Sequence, residues 1–128
     1  MGSSARLKAA GLWIASGLLA AVFLRAGVTK LMGAESWHRL FAAWGYPDWL
    51  RLVAGAIEVA SAVLLLVPAL APLGALGVVV IMAGATYTHL FRASDEAARA
   101  VFALGLLVLA AVVGYVRLGQ RKALSRPH

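Results

Sequence analysis

Apolar residues run almost without interruption over positions 9–31, 49–67, 73–91 and 97–118. Each run has close to the ~20 residues a helix needs to cross the hydrocarbon of a bilayer. The segment between the first two runs has a different rhythm. Trp37, Leu40, Phe41 and Trp44 recur at i, i+3, i+4 and i+7, while Glu35, His38 and Arg39 take the other side. That spacing predicts an amphipathic helix over about 35–45, too short to span and suited to the membrane interface. Gly45 and Pro47 should end it, with Asp48 as N-cap of the next helix. Trp37, Trp44, Tyr46 and Trp49 would form an interfacial aromatic belt. Pro68 and Pro72 bracket an uncharged turn, and Gly74, Gly77 and Gly84 would let the third run approach a neighbour closely. Ser94, Asp95 and Glu96 read as a helix start, and the basic tail beyond 118 is expected to fray.

Composition supports the pattern. Of 128 residues 62% are hydrophobic, and the mean hydropathy is +0.87. A soluble domain of this size has too much surface for its volume to hide that much apolar area. The expected fold is all-α: an integral membrane four-helix bundle with a short interfacial amphipathic helix between spans 1 and 2, forming one domain over 1–128. The net charge of +7 is spread over the flanks of the apolar runs rather than gathered in a nucleic-acid patch. Arg6, Lys8, Arg117, Arg121, Lys122 and Arg126 lie toward the two termini. By the positive-inside bias both termini are expected in the cytoplasm, in a multi-pass protein of a bacterial inner membrane. A cleaved signal peptide is the competing reading of the first run, which continues past Arg25 without a polar cleavage region.

The chemistry sits where the runs carry charge. An ionised side chain at the centre of a membrane helix costs about 2.5–3.5 kcal/mol on insertion scales, so such residues face an interior and find partners. Arg25 lies high in the first run, Glu58 near the middle of the second, and His89 near the end of the third. Counting along the helices puts the three at similar depth, so Arg25 and Glu58 are expected to pair. A cavity with apolar walls under an Arg–Glu–His ceiling follows. Met82, Thr86 and His89 share a stripe, which makes Thr86 a further candidate. Lys30 is expected to snorkel toward headgroups, with ligand binding as the alternative. Trp37, Phe41 and Trp44 are expected to anchor at the interface, with a lid over the cavity as the alternative. No metal-ligand spacing, phosphate loop or nucleophile–base pair stands out. The absence of cysteine excludes disulfides, thiolate metal sites and a thiol relay.

The motifs Phe23-Leu-Arg25-Ala-Gly27-Val-Thr-Lys30-Leu31, Gly45-Tyr-Pro47 and Gly55-Ala-Ile-Glu58, in this order, resemble the DoxX-like family of small bacterial membrane proteins. The small-residue run from Met82 to Ala85, followed by His89, is similar to that family's third-span ending. The resemblance implies a four-helix membrane bundle and picks out Arg25, Lys30, Glu58 and His89. It also implies an association with oxidoreductases, including a quinone-reducing thiosulfate-oxidising enzyme; a distant eukaryotic relative acts as a receptor-assembly chaperone.

Three functions compete. In the first, the chain is the membrane subunit of a redox system and binds a quinone or another lipid-soluble molecule. Arg25, Lys30, Glu58, Thr86 and His89 would form the ligand site, and Glu58 would be the candidate proton carrier of a quinone-linked oxidoreductase. The chain itself supplies no redox centre, so a redox partner protein would bring the electrons. The second is a non-enzymatic assembly factor or scaffold with a structural ion pair. The third is a small proton-linked transporter, which at this size would act as a homodimer.

Overall fold

The computed structural model describes residues 2–92 and 97–125, and these form five helices: α1 (Ser3–Leu31), α2 (Glu35–Ala43), α3 (Asp48–Leu65), α4 (Ala71–Phe91) and α5 (Ala97–Ser125). Among the described residues there is no strand. α1 begins six residues before the expected start at 9, and α5 remains helical to Ser125, within the tail that was expected to fray. The helix start assigned to Ser94, Asp95 and Glu96 lies outside the described residues.

The turns follow from local chemistry. α1 and α2 each end on a glycine with positive φ, Gly33 at 74° and Gly45 at 78°. That region is open to glycine and costly for residues with a Cβ. Both ends close in the same manner. The Gly33 and Ala34 N–H groups donate to the Lys30 and Thr29 carbonyls at 3.2 and 3.1 Å. Gly45 and Tyr46 do so to Ala42 and Phe41 at 3.1 and 2.9 Å, and carbonyls otherwise left open are satisfied. Asp48 is not the N-cap of α3. Pro47 holds that position in extended conformation, and the Asp48 carboxylate is taken up by Arg51 and His38 instead. Pro72 stands in the first turn of α4, where its missing N–H costs nothing.

α1 packs on α3, α3 on α4, α4 on α5, and α5 returns to α1; α2 lies against α3. Leu19, Phe23, Leu65, Val78 and Val113 are the largest apolar side chains with almost no exposure, one layer shared by all four long helices. The outside is as apolar as the inside: Ile14, Leu18, Leu76, Val80, Val108 and Val112 all face outward. Three helices, Ser3–Leu31, Ala71–Phe91 and Ala98–Ala123, are long and apolar enough to cross a membrane. The remaining expected span, α3, differs because 18 residues carry Asp48, Arg51 and Glu58. Arg51 and Glu58 are both buried, so α3 turns its mid-helix charge toward its neighbours.

Candidate functional site

The site begins at a place where two backbones touch. A Cβ on Gly27 would lie 2.8 Å from the Gly55 carbonyl oxygen and 2.9 Å from the Val59 nitrogen. Only glycine allows α1 and α3 so close. One turn beyond each glycine stands a charged residue, Lys30 on α1 and Glu58 on α3. The helices run antiparallel, and side chains lean toward the N-terminus of their own helix. Lys30 and Glu58 therefore lean toward each other across the crossing. The Lys30 Nζ donates to both carboxylate oxygens of Glu58, at 2.7 and 3.0 Å. Lys30 is 6% and Glu58 2% exposed, so the pair is withdrawn from surroundings that could not solvate it.

The expected partner, Arg25, is not there. It is exposed on α1, away from the crossing. At about 100° per residue, the two positions between Arg25 and Gly27 turn it roughly 200° from the crossing face, whereas Lys30 comes back near that face. The expectation that Lys30 snorkels outward is corrected for the same reason. Depth alone favoured Arg25; helical phase selects Lys30.

Two further groups brace Lys30, one at its ammonium and one at its backbone. The Trp37 ring of α2 lies over it, 4.0 Å from nitrogen to ring centroid, and Trp37 Nε1 donates to the Thr29 hydroxyl at 2.9 Å. Arg51, buried one turn into α3, donates to the Lys30 carbonyl oxygen through Nη1 and grips Asp48 through Nε and Nη2, both at 3.0 Å. Asp48 also meets His38 Nδ1 at 2.9 Å, which joins α2 to the start of α3. The hydrogen bonds from Arg51 hold the Asp48 carboxyl below the usual carboxylate range.

Beside this pair lies a cavity of about 600 Å³, walled by apolar residues of every helix, with Phe23, Ala54, Met82 and Leu106 among them. Both Lys30 and Glu58 reach it. A second polar group stands toward the α2 end. The Tyr46 and Thr88 hydroxyls are 2.7 Å apart, and Thr88 donates its one proton to the Gly84 carbonyl at 2.8 Å, so Tyr46 is the donor to Thr88. His89 and Arg99 also line the space. His89 meets the Trp44 ring edge-on, with centroids 5.7 Å apart.

Of the residues singled out from sequence, Lys30, Glu58 and His89 come together around the cavity, while Arg25 and Thr86 do not line it. Thr86 is half-buried and donates to the Met82 carbonyl at 2.7 Å, a bond internal to α4. Trp37, Phe41 and Trp44 line the cavity as well. Sequence reasoning missed Tyr46 and Thr88 as site residues, and Arg51 as the clamp on the end of α1. For the Lys30–Glu58 pairing the available signal was the i, i+3 spacing in Gly27–Lys30 and Gly55–Glu58, which puts both charges on the faces where the glycines permit contact. Among the described residues, no three His, Cys, Asp or Glu side chains gather as a metal site would require.

The arrangement can do two things. It can receive an apolar body of moderate size, and it can offer a hydrogen-bonding or proton-exchanging group at either polar end. Neither a curated protein nor a solved structure matches the chain. A family model does, over residues 14–114, a stretch that takes in the glycine crossing, the ion pair and the whole cavity wall. The chain belongs to the DoxX-like family.

Proposed function

We propose that this protein is a four-span inner-membrane subunit of a redox system, with both termini in the cytoplasm, and that its cavity binds a quinone or a similar lipid-soluble molecule. The observation that carries this reading is the juxtaposition of a 600 Å³ apolar cavity with a buried ion pair at its wall. A space of that size suits a ring with a short apolar extension. Glu58 would exchange the proton that accompanies reduction of a carbonyl to a hydroxyl, with Lys30 balancing its charge. Tyr46, Thr88 and His89 would orient the polar edge of the ring. Electrons would come from a partner protein.

A second reading is favoured by one feature, the full engagement of the Glu58 carboxylate by Lys30 at the tightest helix contact. A pair so placed also holds two helices in register, as an assembly factor or scaffold would need. Native mass spectrometry with lipid extraction, on gently purified wild type and Glu58→Gln, separates the two. A quinone or other specific lipophile present in the first and lost from the second supports the ligand site. If neither form carries one and Glu58→Gln melts far below wild type, the pair is structural and the redox reading falls.

A further inference from the structure

The opposite end of the molecule holds a third buried cation, after Lys30 and Arg51, and among the described residues this one has no acid. Arg117 of α5 is 5% exposed. Its Nη1 donates to Gln120 Oε1 at 3.1 Å, and its guanidinium carbon lies 4.8 Å from the centroid of the Trp13 ring on α1. Nε and Nη2 have no hydrogen-bond partner, and neither has the buried hydroxyl of Ser16, one turn from Trp13. A buried guanidinium with at least three of its five donors idle is costly, since each unmade bond to a charged group leaves its desolvation uncompensated.

Among the described residues no side-chain carboxylate lies within ion-pair distance of Arg117. The chain has five carboxylate residues: Glu35, Asp48, Glu58, Asp95 and Glu96. Glu58 is engaged by Lys30, Glu35 and Asp48 belong to the α2 end, and Asp95 and Glu96 precede α5 in sequence. None follows residue 96, and none precedes residue 35. Among the described residues no carboxylate meets Arg117, which leaves its open donors available to an anion from outside the chain.

Depth indicates its chemistry. Between Arg99 and Arg117 α5 carries no charge, and the 18 positions separating them rise about 27 Å, close to the thickness of the hydrocarbon layer. With Arg99 at one boundary, Arg117 stands at the other, where phosphate groups begin. Trp13, 46% exposed, sits at the same level, as an interfacial indole does. Nε and Nη2 of one guanidinium form the fork that takes two oxygens of a phosphate at once.

We propose that Arg117 is the anchor of a phosphate-binding site at the terminal end of α1 and α5. The indole of Trp13 covers the fork and moves aside when a phosphate enters. The ligand is a phosphate oxyanion, either the headgroup of an anionic phospholipid or free phosphate.

The test uses the full chain, purified in detergent and stripped of lipid, with phosphatidylglycerol, diacylglycerol or inorganic phosphate added. Retained lipid is counted by native mass spectrometry, and the melting temperature is followed in parallel. Wild type is expected to hold one phosphatidylglycerol in preference to diacylglycerol, which keeps the chains and lacks the phosphate. Arg117→Gln should weaken that binding by at least about tenfold, since each charge-assisted hydrogen bond lost is worth about that factor. Arg121→Gln should leave it unchanged. An Arg117-dependent rise in melting temperature with inorganic phosphate, in the absence of lipid, would name free phosphate as the source; a rise with phosphatidylglycerol alone would name the lipid. Should Arg117→Gln fail to fold, Arg117→Lys keeps the charge and loses the fork, and is expected to bind several-fold more weakly than wild type. Phosphatidylglycerol held equally by wild type and the Arg117 variants, or diacylglycerol held as well as phosphatidylglycerol, overturns the proposal.

Discussion

At the scale of single residues, the fate of Glu58 turns on helical phase. Arg25 and Lys30 are both cations in the last third of α1, and a count of depth alone prefers Arg25. Depth says how high a side chain stands, whereas phase says which way it faces, and only Lys30 shares a face with Gly27. The pair that results is sensitive to the loss of one member. Removing one partner of a buried pair leaves an uncompensated charge, at about 3–5 kcal/mol. Glu58→Ala and Lys30→Met should each lower stability by about that amount in detergent. The double variant should lose less than either single one, because it leaves no orphan. Denaturation of the four proteins checks this, and strictly additive losses would mean that the two residues are not coupled. Asp48 behaves differently, being exposed and screened. Its carboxyl is held below the usual range by Arg51, so its contribution is complete above the ordinary carboxylate pKa and vanishes as pH falls through the depressed value. As pH falls from about 4 through that depressed value, the protection factors of amides at the α2–α3 corner should drop in wild type. In Asp48→Asn the corner should exchange faster already at pH about 6 and change less on acidification; parallel pH responses would remove Asp48 from the account.

Helices and their ends were largely legible in the sequence, because punctuation and periodicity are local. The i, i+3, i+4, i+7 aromatic spacing located α2, and Gly45, Pro47, Pro68 and Pro72 stand in or beside turns for reasons of backbone geometry. Asp48 was misread as a cap because its i, i+3 pairing with Arg51, legible in the sequence, was not weighed against capping, and because nothing local reveals that His38 of α2 will also claim the carboxylate. Gly27 and Gly55 were read as parts of motifs, and their physical role needed both helices in view. That role is testable against other glycines. Gly27→Ala drives a methyl into the Gly55 carbonyl at 2.8 Å and the Val59 nitrogen at 2.9 Å, both backbone atoms that cannot yield. It should force α1 and α3 apart and destabilise by about 1–3 kcal/mol. Gly11, also on α1, has nothing within 4 Å of the added carbon. Gly11→Ala should be neutral or raise stability by up to about 1 kcal/mol through reduced backbone entropy. Equal melting temperatures for Gly27→Ala and Gly11→Ala would show that the crossing is looser than drawn.

At the scale of the whole molecule, the chain solves one problem at two ends. Lipid cannot solvate charge, so each buried cation needs a partner from the protein or from its surroundings. Lys30 finds Glu58 and Arg51 finds Asp48, and for Arg117 the proposed partner is a phosphate from outside. The apolar surplus was plain from composition, and it shows as Leu, Val and Ile facing outward on α1, α4 and α5. The cavity was foreseen only as a space beneath a polar group, because its walls come from five helices and no local pattern records a void. Its position allows a test that separates space from charge. Ala85 of α4 lines the cavity, and Ala85→Phe would fill a good part of it without touching the ion pair. Removing a void from a membrane core adds dispersion contacts, so the variant should melt at or slightly above wild type. A lipophile retained by wild type should meanwhile be lost, by at least about tenfold in affinity, because each excluded part of its body forfeits both contacts and space. A filled cavity that still carries the lipophile would place the ligand elsewhere on the apolar surface. Lys30 and Glu58 would then be left with the single task of holding α1 to α3.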